Sequence, residues 1–449
     1  MNPHLRTACV AVAAASLAAG LALYFGREDL LDGHTVSQGT ELAAASETVA
    51  PKSPSATVTQ LAPVGGRWTL DNIRDLVPVV PARVDTVPRI IPALEAYDVA
   101  LATLSPIVEQ RAGDPDNAWA IAHGLLARGP EYRIADGRGA VPHLFSVFAE
   151  PRPVGTLSFA GFPRERGGKP IESHTDLILK NLQEIGINPA DEFPMAGGVG
   201  SGADLYRYTL LKTFLRAAEN KSNFDSPADM PWGLQALSAW APPGPLRWRS
   251  VEGTEMDLDT LTDFVVLVLT KESKFMFDAM RDGAGFERKG QPLFSYACGG
   301  AHLVQGASYA VGRGYGSPDA RKAVEAQVAL LFYRLPIELE IYAEAAKKGR
   351  QYRKKLAVQR LKFIGHWLET ISKLQVMGIF TPDEQQLQGI EGAAQNLTLV
   401  VRELDELGVF TGLDAVGIED PQMYLDVVGD SAHAVRGLEL ALGRQSVRW

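Results

Sequence analysis

HTDLILKNLQEIG, residues 174–186, is the stretch on which the architecture turns. Leu177, Ile178, Leu182 and Ile185 recur at helical spacing, and Gly186 supplies the residue type that commonly ends a helix. The pattern returns along the chain. His302 is followed by Gly314, His366 by Gly378 and Asn396 by Gly408, each twelve residues on, as Gly186 follows His174. Leu182, Leu374 and Leu404 stand eight residues after the first member in three of the four, and EIGI, VMGI and ELGV close those three helices. One helix repeated with an apolar face and a glycine stop predicts stacked helical hairpins. The expected body is all-α, its hairpins closed into a ring or left open as an α-solenoid. The bland alternative is that Leu-rich helices ending in glycine match one another by chance.

Other segments agree. LDTLTDFVVLVLT (258–270), RKAVEAQVALLFYRL (321–335) and LTLVVRELDELG (397–408) carry apolar residues at helical spacing. Asp114-Pro115 reads as a cap and first turn, Ser317-Pro318 opens another helix, and Thr381-Pro382 with Glu384 opens a third in the manner of a capping box. Pro336 should kink or split the helix that carries it. Ten to fourteen helices are expected between about 95 and 445, with GTLSFAGF, residues 155–162, as a short extended piece.

The ends differ from this body. Residues 8–25, ACVAVAAASLAAGLALYF, hold no charge over 18 positions, near the lower limit for spanning a bilayer. Arg6 precedes the run, and Glu28, Asp29 and Asp32 follow it, so an uncleaved anchor would leave the body outside the cytoplasm. A cleaved signal peptide looks similar. Residues 35–66 are rich in Ser, Thr, Ala and Pro and read as a disordered spacer. The expected organisation is therefore an anchor or signal segment over 1–34, the spacer over 35–66, and one helical domain over 67–449.

The chain has 449 residues, a formal charge of −9 and a pI near 5.5, which argues against a nucleic-acid binder. The basic run KKGRQYRKK (347–355) reads as a solvated helix face. With only Cys9 and Cys298, no disulfide is expected.

The most unusual local sequence is SYACGGAHLVQGASYAVG, residues 295–312. Cys298 and His302, four apart, share a face if the segment is helical and can then bind one ion together. Thiolate and imidazole are preferred ligands of zinc, which needs a third donor. His174, in PIESHTDL beside Glu172 and Asp176, and His123, in WAIAHGLL, sit near the ends of apolar helices and are the candidates. Asp176 could orient a ligating imidazole. Each also has an ordinary reading, as a core histidine or a small buried thiol. His366, beside Trp367 in an apolar helix, reads as structural, and His4, His34, His143 and His433 follow no usable pattern. Asp259 and Asp263 form a second constellation, able to do acid–base work or simply to serve the start of a helix. Trp119, Trp232, Trp240, Trp248, Tyr206 and Tyr208 form a third, lining a ligand groove or packing the core.

At CGGAH, with WAIAHGLL and ESHTDLIL, the sequence resembles the α/α-toroid class, which includes terpenoid cyclases, protein prenyltransferases and lanthionine cyclases. That resemblance implies rings of helical hairpins over roughly 95–445, and a catalytic zinc at the ring mouth held by Cys298 and His302 with His174 or His123. There are departures. Asp257-Leu258-Asp259-Thr260 lacks the last aspartates of the cyclase DxDD acid, and three residues separate Cys298 from His302 where lanthionine cyclases place a Cys directly beside a His. Three functions remain open: a zinc site activating a thiol or water for a small-molecule or polymer ligand, a non-catalytic helical scaffold for a protein or envelope polymer, and a metal-free carboxylate enzyme acting on glycans.

Overall fold

Helices that are buried on every side alternate along the chain with helices buried on one stripe only. The computed structural model describes residues 66–449 apart from 82–83, 87, 220, 225–226, 348 and 350–351, and they belong to one unit, Pro63–Trp449. The apolar run 8–25 and the spacer up to residue 65 lie outside the described residues. Thirteen α-helices occur among those described: α1 (Glu95–Pro106), α2 (Ala118–Arg128), α3 (Ala140–His143), α4 (Leu177–Glu184), α5 (Gly202–Lys212), α6 (Met230–Ala239), α7 (Leu258–Arg281), α8 (Ala301–Gly312), α9 (Pro318–Lys347), α10 (Arg353–Val376), α11 (Glu384–Glu406), α12 (Leu413–Glu419) and α13 (Pro421–Ala441). No helix among the described residues is long and apolar enough to cross a membrane.

Every residue of α4 and of α6 is buried, whereas α7 buries nine of its 24 residues and α11 nine of its 23. A helix buried all round must be surrounded by other elements. The neighbours form a circuit: α2 packs on α4, α4 on α6, α6 on α8, α8 on α10, α10 on α13, and α13 returns to α2. The one-sided helices lie against this circuit, α5 on α4 and α6, α7 on α6 and α8, α9 on α8 and α10, α11 on α10, and α1 between α11 and α13. Six two-stranded antiparallel ribbons occur among the described residues. The extended piece expected at 155–162 is the strand Leu157–Gly161, paired with Glu150–Val154. Val84–Thr86 pairs with Ser446–Arg448.

Helix starts follow the sequence with small offsets. Ser317 caps α9 as read, its Oγ accepting the Ala320 N–H. The capping box of α11 is built by Asp383 and Gln386, two residues beyond the expected one. Asn117, rather than Asp114, caps α2. Pro336 does not split its helix: α9 runs unbroken for 30 residues. Tyr333, Arg334, Leu335 and Glu338 are buried around the proline, and this packing offsets a cost of about 3 kcal/mol for an interior proline.

The most extensively packed helix pair, α10 and α13, sets the position of the site. A Cβ at Gly365 would lie 2.9 Å from the Ala434 backbone, and one at Gly437 would lie 2.7 Å from the Gly365 carbonyl. Only glycine permits this approach, and no flexible side chain can give way. Gly365→Val should therefore destabilise the chain by about 3 kcal/mol, the upper range for overpacking, read as a lower urea midpoint at an unchanged m-value. An unaltered midpoint would mean that the two backbones are not in contact.

Candidate metal centre

The first turns of α2, α4, α6, α8 and α13 all contribute to one pocket of about 600 Å³, through Trp119, Leu177, Trp232, His302 and Pro421. Their amide ends carry partial positive charge, so the site is predisposed to electron-rich groups. Its wall also holds Cys298, His366, His433, His123 and His174. Side chains spread over more than 300 residues thus meet in one place, some from the first turns of helices and His366 and His433 from the middles of α10 and α13.

Cys298 reaches the pocket by a turn and not by the helical face that its spacing from His302 implied. Cys298, Gly299 and Gly300 have φ of 53°, 61° and 85°, three successive left-handed residues that lead into α8. A non-glycine residue there is strained, by roughly 1–2 kcal/mol, and such strain collects at functional positions. At Gly300 the φ of 85° is what favours glycine; an added Cβ would also press on the Leu293 side chain, 2.6 Å from Cδ1.

The turn sets one sulfur beside two imidazoles. Donor atoms of Cys298, His302 and His366 all lie within 4.8 Å of one another. Around a tetrahedral zinc such atoms stand about 3.5 Å apart, so the cluster would close by roughly 1 Å on an ion. The His366 Nδ1–H donates to the Lys362 carbonyl at 2.9 Å, which leaves the Nε2 lone pair free, and Nε2 is buried with no hydrogen-bond partner. A buried acceptor without a partner is costly and calls for a ligand. Burial drives His302 and His366 well below the usual histidine range, so both are neutral and able to ligate. Burial, with Asp430 and Asp426, pushes the Cys298 thiol up, and a cation supplies the countercharge that would reverse this.

Around the cluster the neighbours are fixed. The His433 ring lies 3.9 Å from His366 and 5.5 Å from His302, and its Nδ1 bonds Glu369 Oε2 at 2.6 Å. The His123 ring is 5.4 Å from His433, and its Nδ1–H donates to the Trp119 carbonyl at 2.7 Å. Lys362 pairs with Asp426 at 3.0 Å and Asp430 at 3.6 Å. Beneath lies a buried ionic network. Lys373 holds Glu369 at 2.6 Å and Glu184 at 2.7 Å, Lys180 reaches Glu184 at 3.4 Å, and Arg436 lies 3.5 Å from Glu369. Burial alone would raise both acids, but Lys373 with His433 around Glu369, and Lys180 with Lys373 around Glu184, outweigh it and hold both low.

The sequence candidates separate as follows. Cys298 and His302 are joined by His366, which read as structural. His123 and His174 line the same pocket outside that cluster. Trp232 stands between His174 and His302, 4.1 Å from the first ring and 4.5 Å from the second. Asp176 accepts from Thr209 and Lys212 and orients no imidazole directly. Asp259 and Asp263 accept the Gly316 and Ser317 N–H groups that precede α9, away from the pocket. Trp119 and Trp232 line the pocket, while Trp240, Trp248 and Tyr206 are core. No family model, curated protein or solved structure matches the chain.

His123 yields a pH prediction. Burial, with the neighbouring His433, lowers it from 6.5 to about 3. The unfolded chain therefore binds a proton below pH 6.5 that the folded chain refuses until about pH 3. Its contribution is fully present above pH 6.5 and falls by about 1.4 kcal/mol per pH unit on acidification. Urea unfolding of chelator-treated protein at pH 7 and pH 5 should show a shallower loss for His123→Gln, and equal slopes would show that His123 titrates normally.

Proposed function

We propose that this chain is a zinc-dependent enzyme of α/α-toroid architecture, its body held outside the cytoplasm by the N-terminal segment, acting on a small molecule or polymer end that enters the pocket. The circuit of six buried helices with one-sided helices outside it supports the toroid. The unpartnered Nε2 of His366 beside Cys298 and His302 is the observation that carries the metal. Those three residues would hold the ion, and three protein donors leave the open position that distinguishes catalytic from structural zinc. Bound there, zinc supplies Lewis acidity, polarising a carbonyl or activating a water or thiol. The chain provides the rest: neutral imidazoles, a turn that presents the sulfur, converging helix ends that favour anionic groups, and a pocket of about 600 Å³, the size of small-molecule sites. A pocket floored by buried donors favours catalysis over a scaffold role, and the use of Asp259 and Asp263 at a turn disfavours a carboxylate mechanism based on them.

Purified full-length protein should contain one zinc per chain by plasma mass spectrometry. At a hundredfold excess over Kd, zinc should stabilise the chelated protein by about 2.7 kcal/mol, and Cys298→Ser or His366→Gln should abolish both results. Protein that neither retains zinc nor gains stability from it would refute the metal site.

A further inference from the structure

The segment 172–177 is braced far beyond what a surface loop requires. Asp176 is a non-glycine residue at φ 63°, and its Oδ1 accepts from Thr209 Oγ1 at 2.6 Å and Lys212 Nζ at 2.7 Å. Glu172 Oε1 accepts the Ile178 N–H at 3.1 Å. The residue displayed by this bracing is His174. Its Nδ1 bonds Asp229 Oδ1 at 2.9 Å, its ring lies flat on Trp232 at an angle of 5°, and it lines the pocket. The Asp229 side chain is 4% exposed and that of His174 is 30% exposed. A buried carboxylate thus holds an accessible imidazole in one tautomer, with the Nε2 lone pair left to act.

The other histidines of the pocket lack this combination. His433 also bonds a carboxylate, but both partners are buried, 3% and 0% exposed, and tied into the ionic network. His123 and His366 bond backbone carbonyls. His174 is too far from the cluster to share its ion, because the Trp232 indole lies between. It is near enough to act on a substrate held there: the two ring separations of 4.1 and 4.5 Å place the His174 and His302 rings no more than 8.6 Å apart.

We infer that His174 is the general base of a hydrolytic site whose other half is Cys298, His302 and His366, acting on an ester or amide. This inference rests on the zinc reading above. His174 Nε2 takes a proton from water as the water oxygen attacks the acyl carbon. The new C–O bond forms, the carbonyl pair moves to oxygen and returns, and the bond to the leaving oxygen or nitrogen breaks. The proton passes from Nε2 to that leaving atom, so water is the sole co-reactant and no oxidant is needed. Asp229 is a positioning residue that stabilises the transient imidazolium.

The test uses zinc-loaded full-length chain, p-nitrophenyl acetate as probe, and metal content measured on every sample. His174→Asn should lower kcat by about a hundredfold or more, with zinc and KM unchanged. Asp229→Asn should lower kcat in the same direction. Added imidazole should restore part of the rate to His174→Gly, beyond both its own catalysis of the ester in buffer and its effect on His174→Asn, an outcome that a purely structural role would not produce. Unchanged kcat in His174→Asn would overturn the base role alone. Loss of zinc from that variant would reassign His174 to metal binding. Zinc-loaded wild type no faster than free zinc would overturn the hydrolytic assignment, and a chain that takes up no zinc would overturn the metal reading beneath it.

Discussion

Charged groups can be buried among packed helices only if each finds its partners there. Glu184 and Glu369 are 3% and 0% exposed, and four cationic or imidazole groups, Lys180, Lys373, His433 and Arg436, surround them from α4, α10 and α13. Desolvation of such ions costs several kcal/mol each, and a buried pair adds little net stability over an apolar one. Its effect is on geometry. Lys373 must face both acids, so the rotation of α10 relative to α4 is fixed, and His366 is fixed with it. The network acts as a registration device beneath the pocket.

Above it, polarity is handled differently. The pocket wall holds a donor atom that the protein itself does not satisfy, His366 Nε2, buried without a hydrogen-bond partner. Strain gathers in the same region, at Cys298 and at Asp176, the non-glycine residues with positive φ among those described. In the network below, charge is balanced by ion pairing, although Glu184 Oε2, Glu369 Oε1 and Arg436 Nε and Nη2 also lack a hydrogen bond. At the wall the His366 Nε2 lone pair has neither a hydrogen bond nor a counter-charge, and a free lone pair beside strained backbone suits a surface that receives something.

The helical character and the glycine stops were legible in the sequence because they are local: periodicity and a residue tolerant of positive φ. Cys298, His302, His123 and His174 line one pocket, but only the first two belong to the three-residue cluster. The third member of the cluster was missed for a specific reason. The repeat sets His366 twelve residues before Gly378, as it sets His302 before Gly314, so its register carried the signal, but the apolar surroundings of Trp367 argued for core. His433 has no such register, and its partnership with Glu369, 64 residues away, cannot be seen in one dimension. The left-handed path through Cys298 was likewise hidden. A CxxxH spacing suggests a helical face, whereas two following glycines permit a reversal, and spacing alone does not choose between them.

The circuit of inner helices is closed by parts of the chain far apart in order of synthesis. Helix α13 returns to α2, and Ser446–Arg448 pairs with Val84–Thr86. The core therefore cannot be completed while the ribosome is still making residues before 446. Until then α10, carrying Glu369, Lys373 and His366, has no α13 to cover it, and its buried ions remain in water. Closure of the circuit thus depends on contacts of long sequence separation, which form slowly, and until they form the charged helix faces are open to any chaperone that meets the chain first.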